Sequence, residues 1–203
     1  MNETAHSEHR DYTGAKLGMW LFLFTEILLF GGMFLLYSIY RSVHTADFHE
    51  AGKEMSVTIG AINTIILLTS SLTMVLSISA IKNGQKGSSI LFQAITIILG
   101  LAFLGNKYVE WSDHIHHGFY PNSPELLAMS HGKILFFGLY YVMTGIHGLH
   151  VLIGISVIGF VLVLTLKGTV SSSDYIKLEN TGLFWHLVDV IWIYLFPLFY
   201  LII

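Results

Sequence analysis

The chain has 203 residues, 54% of them hydrophobic and 11% charged, against about 25% charged in a soluble domain. With a mean hydropathy of +0.67 it belongs in a bilayer, and a formal net charge of -3 leaves no electrostatic footprint for nucleic acid. The absence of cysteine excludes disulfides, thiolate zinc sites, iron–sulfur clusters and c-type haem attachment.

The N-terminal stretch Met1–Lys16 is polar and mixed in charge. The apolar run after it exceeds the roughly 7–15 residues of a signal-peptide core, so it reads as a retained helix. A spanning helix needs about 20 mostly apolar residues, and five stretches qualify: 17–40, 57–81, 89–106, 133–166 and 183–203. The third is short and carries Gln93; the fourth is longer than needed and is expected to tilt or project. Between them lie a polar link (41–56), a tight turn (82–87), a His-rich loop (113–130) and a Ser-rich loop (168–182). None is long enough to fold alone. The expectation is therefore an all-α integral membrane bundle of five transmembrane helices, one domain over 1–203. No internal repeat is visible, which argues against a transporter built from inverted halves.

Basic residues set the orientation. With the N-terminus inside, Arg10, Lys16, Lys82, Lys86, Lys167 and Lys177 face the cytoplasm and Arg41, Lys53, Lys107 and Lys133 face out, six against four. Glycines at 14, 18, 31, 32, 100, 105, 138, 145, 148 and 154 are expected to permit close helix approach.

Ionisable groups inside apolar spans are the sharpest signal, each costing about 2.5–3.5 kcal/mol at a helix centre on insertion scales. Glu26 has no charged residue within nine positions on either side. It is either a hydrogen-bonded acid that packs helices, or a carboxyl that exchanges protons or faces a lipid headgroup. His147 and His150 lie three apart on one face of the fourth span, with Tyr140 and Thr144 on the same stripe. His186 and Asp189 form the same pair on the fifth. At about 1.5 Å per residue, His147 lies about 21 Å below the outer end of its span and Asp189 about 9 Å above the inner end of its own. In a core about 30 Å thick the depths match, so a buried network of His147, His150, His186 and Asp189 is expected. These groups could hold zinc or iron in principle; an Asp–His hydrogen-bond network costs less, and no metal is expected. Lys107 and Glu110, three apart, are expected to form an exposed ion pair, and His114, His116 and His117 a solvated loop.

Two segments are specific. Gly145-Ile-His147-Gly148-Leu-His150-Val151 and Phe184-Trp185-His186-Leu-Val-Asp189-Val-Ile-Trp192 resemble the signatures of subunit III of haem–copper terminal oxidases. Upstream, Gly18-Met-Trp-Leu-Phe-Leu-Phe-Thr-Glu26-Ile-Leu-Leu-Phe30 resembles the family's first shared helix with its intramembrane acid, and Asn63-Thr-Ile-Ile-Leu-Leu-Thr-Ser70-Ser71 the second. The order is the family's, nearly the whole chain is covered, and the likeness is to the short five-helix bacterial form. One departure stands out: many relatives carry an acid at the position of Lys107, so a role for two acids there does not transfer.

The resemblance implies a subunit that binds no haem or copper itself and packs on catalytic subunit I, with subunit II and possibly further respiratory-complex subunits as partners. Oxygen is reduced to water and protons are pumped in subunit I. It implies a V-shaped cleft holding structural phospholipid, with Glu26 in or beside it, and a contribution to rapid proton uptake and turnover stability. The implied place is the bacterial cytoplasmic (inner) membrane, multi-pass, N-terminus cytoplasmic. The alternatives are an accessory membrane subunit of a nitric oxide reductase, which uses a short homologue, and a free-standing transporter or metal enzyme.

Overall fold

A computed structural model describes residues 12–201; Arg10 and the last two residues of the expected fifth span lie outside them. The helices are α1 (Tyr12–Val43), α2 (Thr45–Gly52), α3 (Val57–Lys82), α4 (Lys86–His116), α5 (Pro124–Leu127), α6 (His131–Leu166) and α7 (Ile176–Tyr200). Five of them, α1, α3, α4, α6 and α7, are long and apolar enough to cross a membrane. Helix starts follow local chemistry: the Ser56 hydroxyl accepts from the Ile59 amide at the head of α3, and Ser123 accepts from Leu126 ahead of Pro124 in α5. The expected tight turn between α3 and α4 is made by Gly84 at φ +74°, a conformation that favours glycine.

Two of the boundaries that differ from expectation do so for the same reason. Helix α4 runs ten residues past Asn106 to His116, and α7 begins at Ile176 inside the expected Ser-rich loop. Hydropathy stops a span at the first charged residues. Here those residues have partners inside the fold. Lys107, Glu110 and His114 are buried along α4, and Glu179 of α7 is held by Lys16 at 2.9 Å and Lys82 at 3.3 Å. The expected polar link contains α2, and the expected His-rich loop is shortened by the end of α4 and by α5.

Packing between α3 and α4 follows a heptad rhythm. Helix α4 buries Ser89, Gln93, Thr96, Gly100, Phe103, Lys107, Glu110 and His114, alternating steps of four and three, and α3 answers with Gly60, Asn63, Leu67, Ser70, Met74, Ser77 and Ile81. Many of these are polar and pair across the seam. Ser77 and Ser89 hydroxyls meet at 3.1 Å, Thr73 and Thr96 at 2.8 Å, and Asn106 Nδ2 donates to Asn63 Oδ1 at 2.9 Å. In lipid, where apolar helices gain no hydrophobic force from each other, such bonds and close approach hold the bundle. Trp185 of α7 is the central wedge. It donates to Ser70 Oγ at 3.0 Å, and its ring fills the space a Cβ would need at Gly100 (2.9 Å) and Gly154 (2.7 Å).

Close approach is thus the role of Gly100 and Gly154, and at Gly145 an added Cβ would come within 3.3 Å of the Trp111 ring. At six of the other glycines expected to do the same, Gly18, Gly31, Gly32, Gly105, Gly138 and Gly148, an added Cβ would meet nothing within 4 Å.

Helix α1 stands apart. It buries one residue per heptad, Leu23, Phe30 and Tyr37, and packs on α7 and α6. The Tyr37 hydroxyl donates to the Leu198 carbonyl in the last turn of α7. On the expected outer side, α2 docks on the start of α6. Ser130 Oγ donates to Asp47 Oδ1 at 2.7 Å, and Lys133 pairs with Glu50 at 2.8 Å.

Candidate functional site

Glu26 projects from α1 and meets His150 of α6, Oε2 to Nε2, at 2.9 Å. The His150 Nδ1 lies 2.8 Å from the Ile146 carbonyl oxygen. A carbonyl only accepts, so Nδ1 carries a proton and donates it. Nε2 and the carboxyl can then bond only with one proton between them, as neutral acid and imidazole or as carboxylate and imidazolium. The bridge holds one shared proton and no net charge in either form. Both side chains are nearly buried, 14% and 13% exposed, with Phe30 and Phe184 against the imidazole ring. It lies at the junction of the free-standing helix with the bundle.

The expected four-residue network does not form. His147 faces inward, wholly buried, its ring 5.5 Å from Phe103 and stacked 5.3 Å from Trp192, with no hydrogen-bond partner on either nitrogen. His150 faces α1. His186 bonds through Nδ1 to the Ser71 hydroxyl of α3 at 2.7 Å. Asp189 is buried beside that hydroxyl, and neither carboxyl oxygen meets the geometry of a hydrogen bond. Matching depth places residues at one level of the bilayer, but depth carries no azimuth. Residues three apart diverge by about 60° around a helix, enough to send His147 to the core and His150 to a different neighbour. Among the described residues, no three His, Asp or Glu side chains gather as a metal site would require.

The Lys107–Glu110 ion pair forms at 3.1 Å, but it is buried, with side chains 8% and 2% exposed, not exposed as expected. Lys107 Nζ donates to Glu110 Oε2, and also to the Tyr140 and Tyr200 hydroxyls, both at 2.9 Å. Those hydroxyls donate in turn to Glu110 Oε1, at 2.7 and 2.5 Å. The three ammonium protons and the carboxylate are all satisfied, which is the condition for holding ions at this depth. The cage ties α4 to α6 and α7. His114, one turn further along α4, is also buried rather than solvated, beside Phe137 and Tyr140.

The sequence matches the profile of the family described as Cytochrome c oxidase subunit III over residues 2–202. The chain belongs to that family. Among subunit III relatives, cytochrome c oxidase subunit 3 of Synechocystis sp. is 35% identical, with 98% of this chain and 80% of the relative covered. Quinol oxidase subunit 3 of Bacillus spizizenii is 30% identical over 98% and 94%. Cytochrome bo(3) ubiquinol oxidase subunit 3 of Pseudomonas aeruginosa is 28% identical over 98% and 92%. This subunit III is a multi-pass membrane protein and an accessory member of a haem–copper oxidase complex.

Sequence reasoning missed Tyr200 as a cage member and Ser71 as the partner of His186. The α4 heptad positions carried a signal for the burial of Lys107 and Glu110, which continue the steps begun at Ser89, but none for Tyr200 on α7. Nothing in the chain marks which helix faces which, so the Glu26–His150 pairing had no signal.

Proposed function

We propose that this chain is the non-catalytic subunit III of a proton-pumping respiratory haem–copper oxidase in a bacterial cytoplasmic membrane, oxidising cytochrome c or quinol. It packs on subunit I, with subunit II in the same complex; those partners hold the haem and copper that reduce oxygen to water. This chain contributes bound phospholipid and sustains proton uptake and turnover. The observation that carries the reading is the Glu26–His150 bridge: a carboxyl and an imidazole in hydrogen-bond contact at 2.9 Å where α1 meets the bundle. A groove of about 280 Å³ flanks it on the membrane side, lined by Met19, Phe22 and Phe184. Its apolar walls suit acyl chains. Orientation with the N-terminus inside is supported by Lys16, Lys82 and Lys86 at one end of the bundle, the first two sharing Glu179.

The test is purification through a tag on this chain. A complex with haem absorption bands and oxygen consumption is expected. Deleting the gene is expected to leave the haem-bearing subunits assembled but with turnover that decays faster. Recovery of the chain with no haem protein overturns the reading.

A further inference from the structure

Helices α1 and α3 both pack on α7 and share no extended contact with each other, which leaves the side of α7 between them open. That side carries Val190, Ile193 and Tyr194, all exposed, as the membrane requires. It also carries His186, half-buried, whose Nδ1 is engaged by Ser71 while Nε2 makes no hydrogen bond among the described residues. Beneath them lies Asp189, 3% exposed and without a hydrogen bond of its own.

The row Asp189, Ser71, His186 leads outward. If Ser71 donates to Nδ1, Nε2 bears the proton and needs an acceptor. If Nδ1 donates to Ser71, Nε2 is a lone pair and needs a donor. Either way an unmatched nitrogen points out of the bundle. His186 lies about 10 Å along α7 from Glu179, whose ion pairs with Lys16 and Lys82 mark the proposed cytoplasmic end, and about 21 Å from Tyr200 at about 1.5 Å per residue, inside the cytoplasmic half of a hydrocarbon core about 30 Å thick. Phospholipid headgroups and water lie beyond that core, and acyl chains offer neither donor nor acceptor.

We infer that the open side of α7 between α3 and α1 seats a transmembrane helix of a partner oxidase subunit, which presents a hydrogen-bonding side chain to His186 within the hydrocarbon core. The inference rests on the proposed oxidase membership and adds the face and the contact. A polar group on one helix finding a polar group on another is the usual way such residues are accommodated in lipid.

The test uses the intact complex. Tyr194→p-benzoyl-phenylalanine places a photoreactive ring of similar shape on this face, and Phe160→p-benzoyl-phenylalanine places one on the exposed outward side of α6. On irradiation the first is expected to cross-link to an oxidase subunit and the second to lipid alone. His186→Phe is expected to lower retention of this chain in the purified complex several-fold, and His186→Gln, whose amide keeps a donor and an acceptor, to restore it. Cross-linking at 194 to lipid only, or retention of His186→Phe at wild-type stoichiometry, overturns the inference. If position 160 reaches an oxidase subunit and 194 does not, the face is wrong while oxidase membership stands. If the wild-type chain copurifies with no oxidase, the membership itself fails.

Discussion

Glu26 and His150, 124 residues apart in the chain, meet at 2.9 Å across the seam of α1 and α6. The contact gives a helix with few buried side chains a polar anchor near its middle. Because the His150 Nδ1 is committed to the Ile146 carbonyl, the partner of Nε2 must accommodate the shared proton.

Glu26→Ala leaves Nε2 without a partner, a loss of roughly 1–3 kcal/mol. The variant is expected to loosen α1, lose bound phospholipid and shorten the catalytic lifetime of the oxidase, with initial turnover less affected. Glu26→Gln keeps a donor for Nε2 and is expected to retain assembly. Lipid content by mass spectrometry and the decay of oxygen consumption decide the matter; an alanine variant unchanged in both would reduce Glu26 to a packing residue.

Gly100→Ala and Gly154→Ala each drive a methyl group into the Trp185 ring at 2.9 and 2.7 Å. Overpacking of this kind typically costs about 1–3 kcal/mol. Gly148→Ala meets open space and is expected to be neutral within about 0.5 kcal/mol. Thermal midpoints of the purified complex give the ranking; equal effects at positions 154 and 148 would show that Trp185 yields easily.

The spans 57–81 and 133–166 were legible because their apolar runs are unbroken. The outer third of α4 was not, since Lys107, Glu110 and His114 look aqueous by residue type. Only their spacing from Ser89 reveals that they continue a buried stripe. The contact between Lys107 and Glu110 follows from their three-residue separation, whereas its burial depends on Tyr140 and Tyr200, which lie on other helices. The His147 side chain shows the reverse case. A histidine beside another on one stripe suggested a polar network, yet it packs between Phe103 and Trp192.

Acid should release α2. The hydrogen bond from the Lys133 ammonium holds the Glu50 carboxyl below its ordinary range. A depressed folded-state value means the contribution is complete above the ordinary carboxylate pKa and is lost as pH falls through the folded one. The pair is exposed, so the effect is small. Hydrogen-exchange protection factors over residues 45–52 are expected to fall below about pH 4, and Lys133→Met is expected to lower them at both pH 7 and pH 4. No difference between wild type and variant at pH 7 would mean Glu50 does not hold α2.

The Lys107 cage makes the strongest energetic prediction, because each of its members is indispensable to the others. Lys107→Met leaves the Glu110 carboxylate buried without its cation, and breaking a buried pair in this way costs about 3–5 kcal/mol. Glu110→Leu alone leaves the ammonium stranded and should cost a similar amount. The double variant removes both charges and is expected to recover part of the loss. Recovery cannot be complete, since the Tyr140 and Tyr200 hydroxyls, 3.4 Å apart, keep one another but lose the partners that each donated to and accepted from. Adding Tyr140→Phe and Tyr200→Phe removes those orphaned groups, and the quadruple variant is expected to approach wild-type stability, as apolar replacements of buried ion pairs often do. Thermal midpoints of the single, double and quadruple variants in the assembled complex measure the coupling directly. A Lys107→Met subunit as stable as wild type would mean that the ammonium contributes nothing net to the cage.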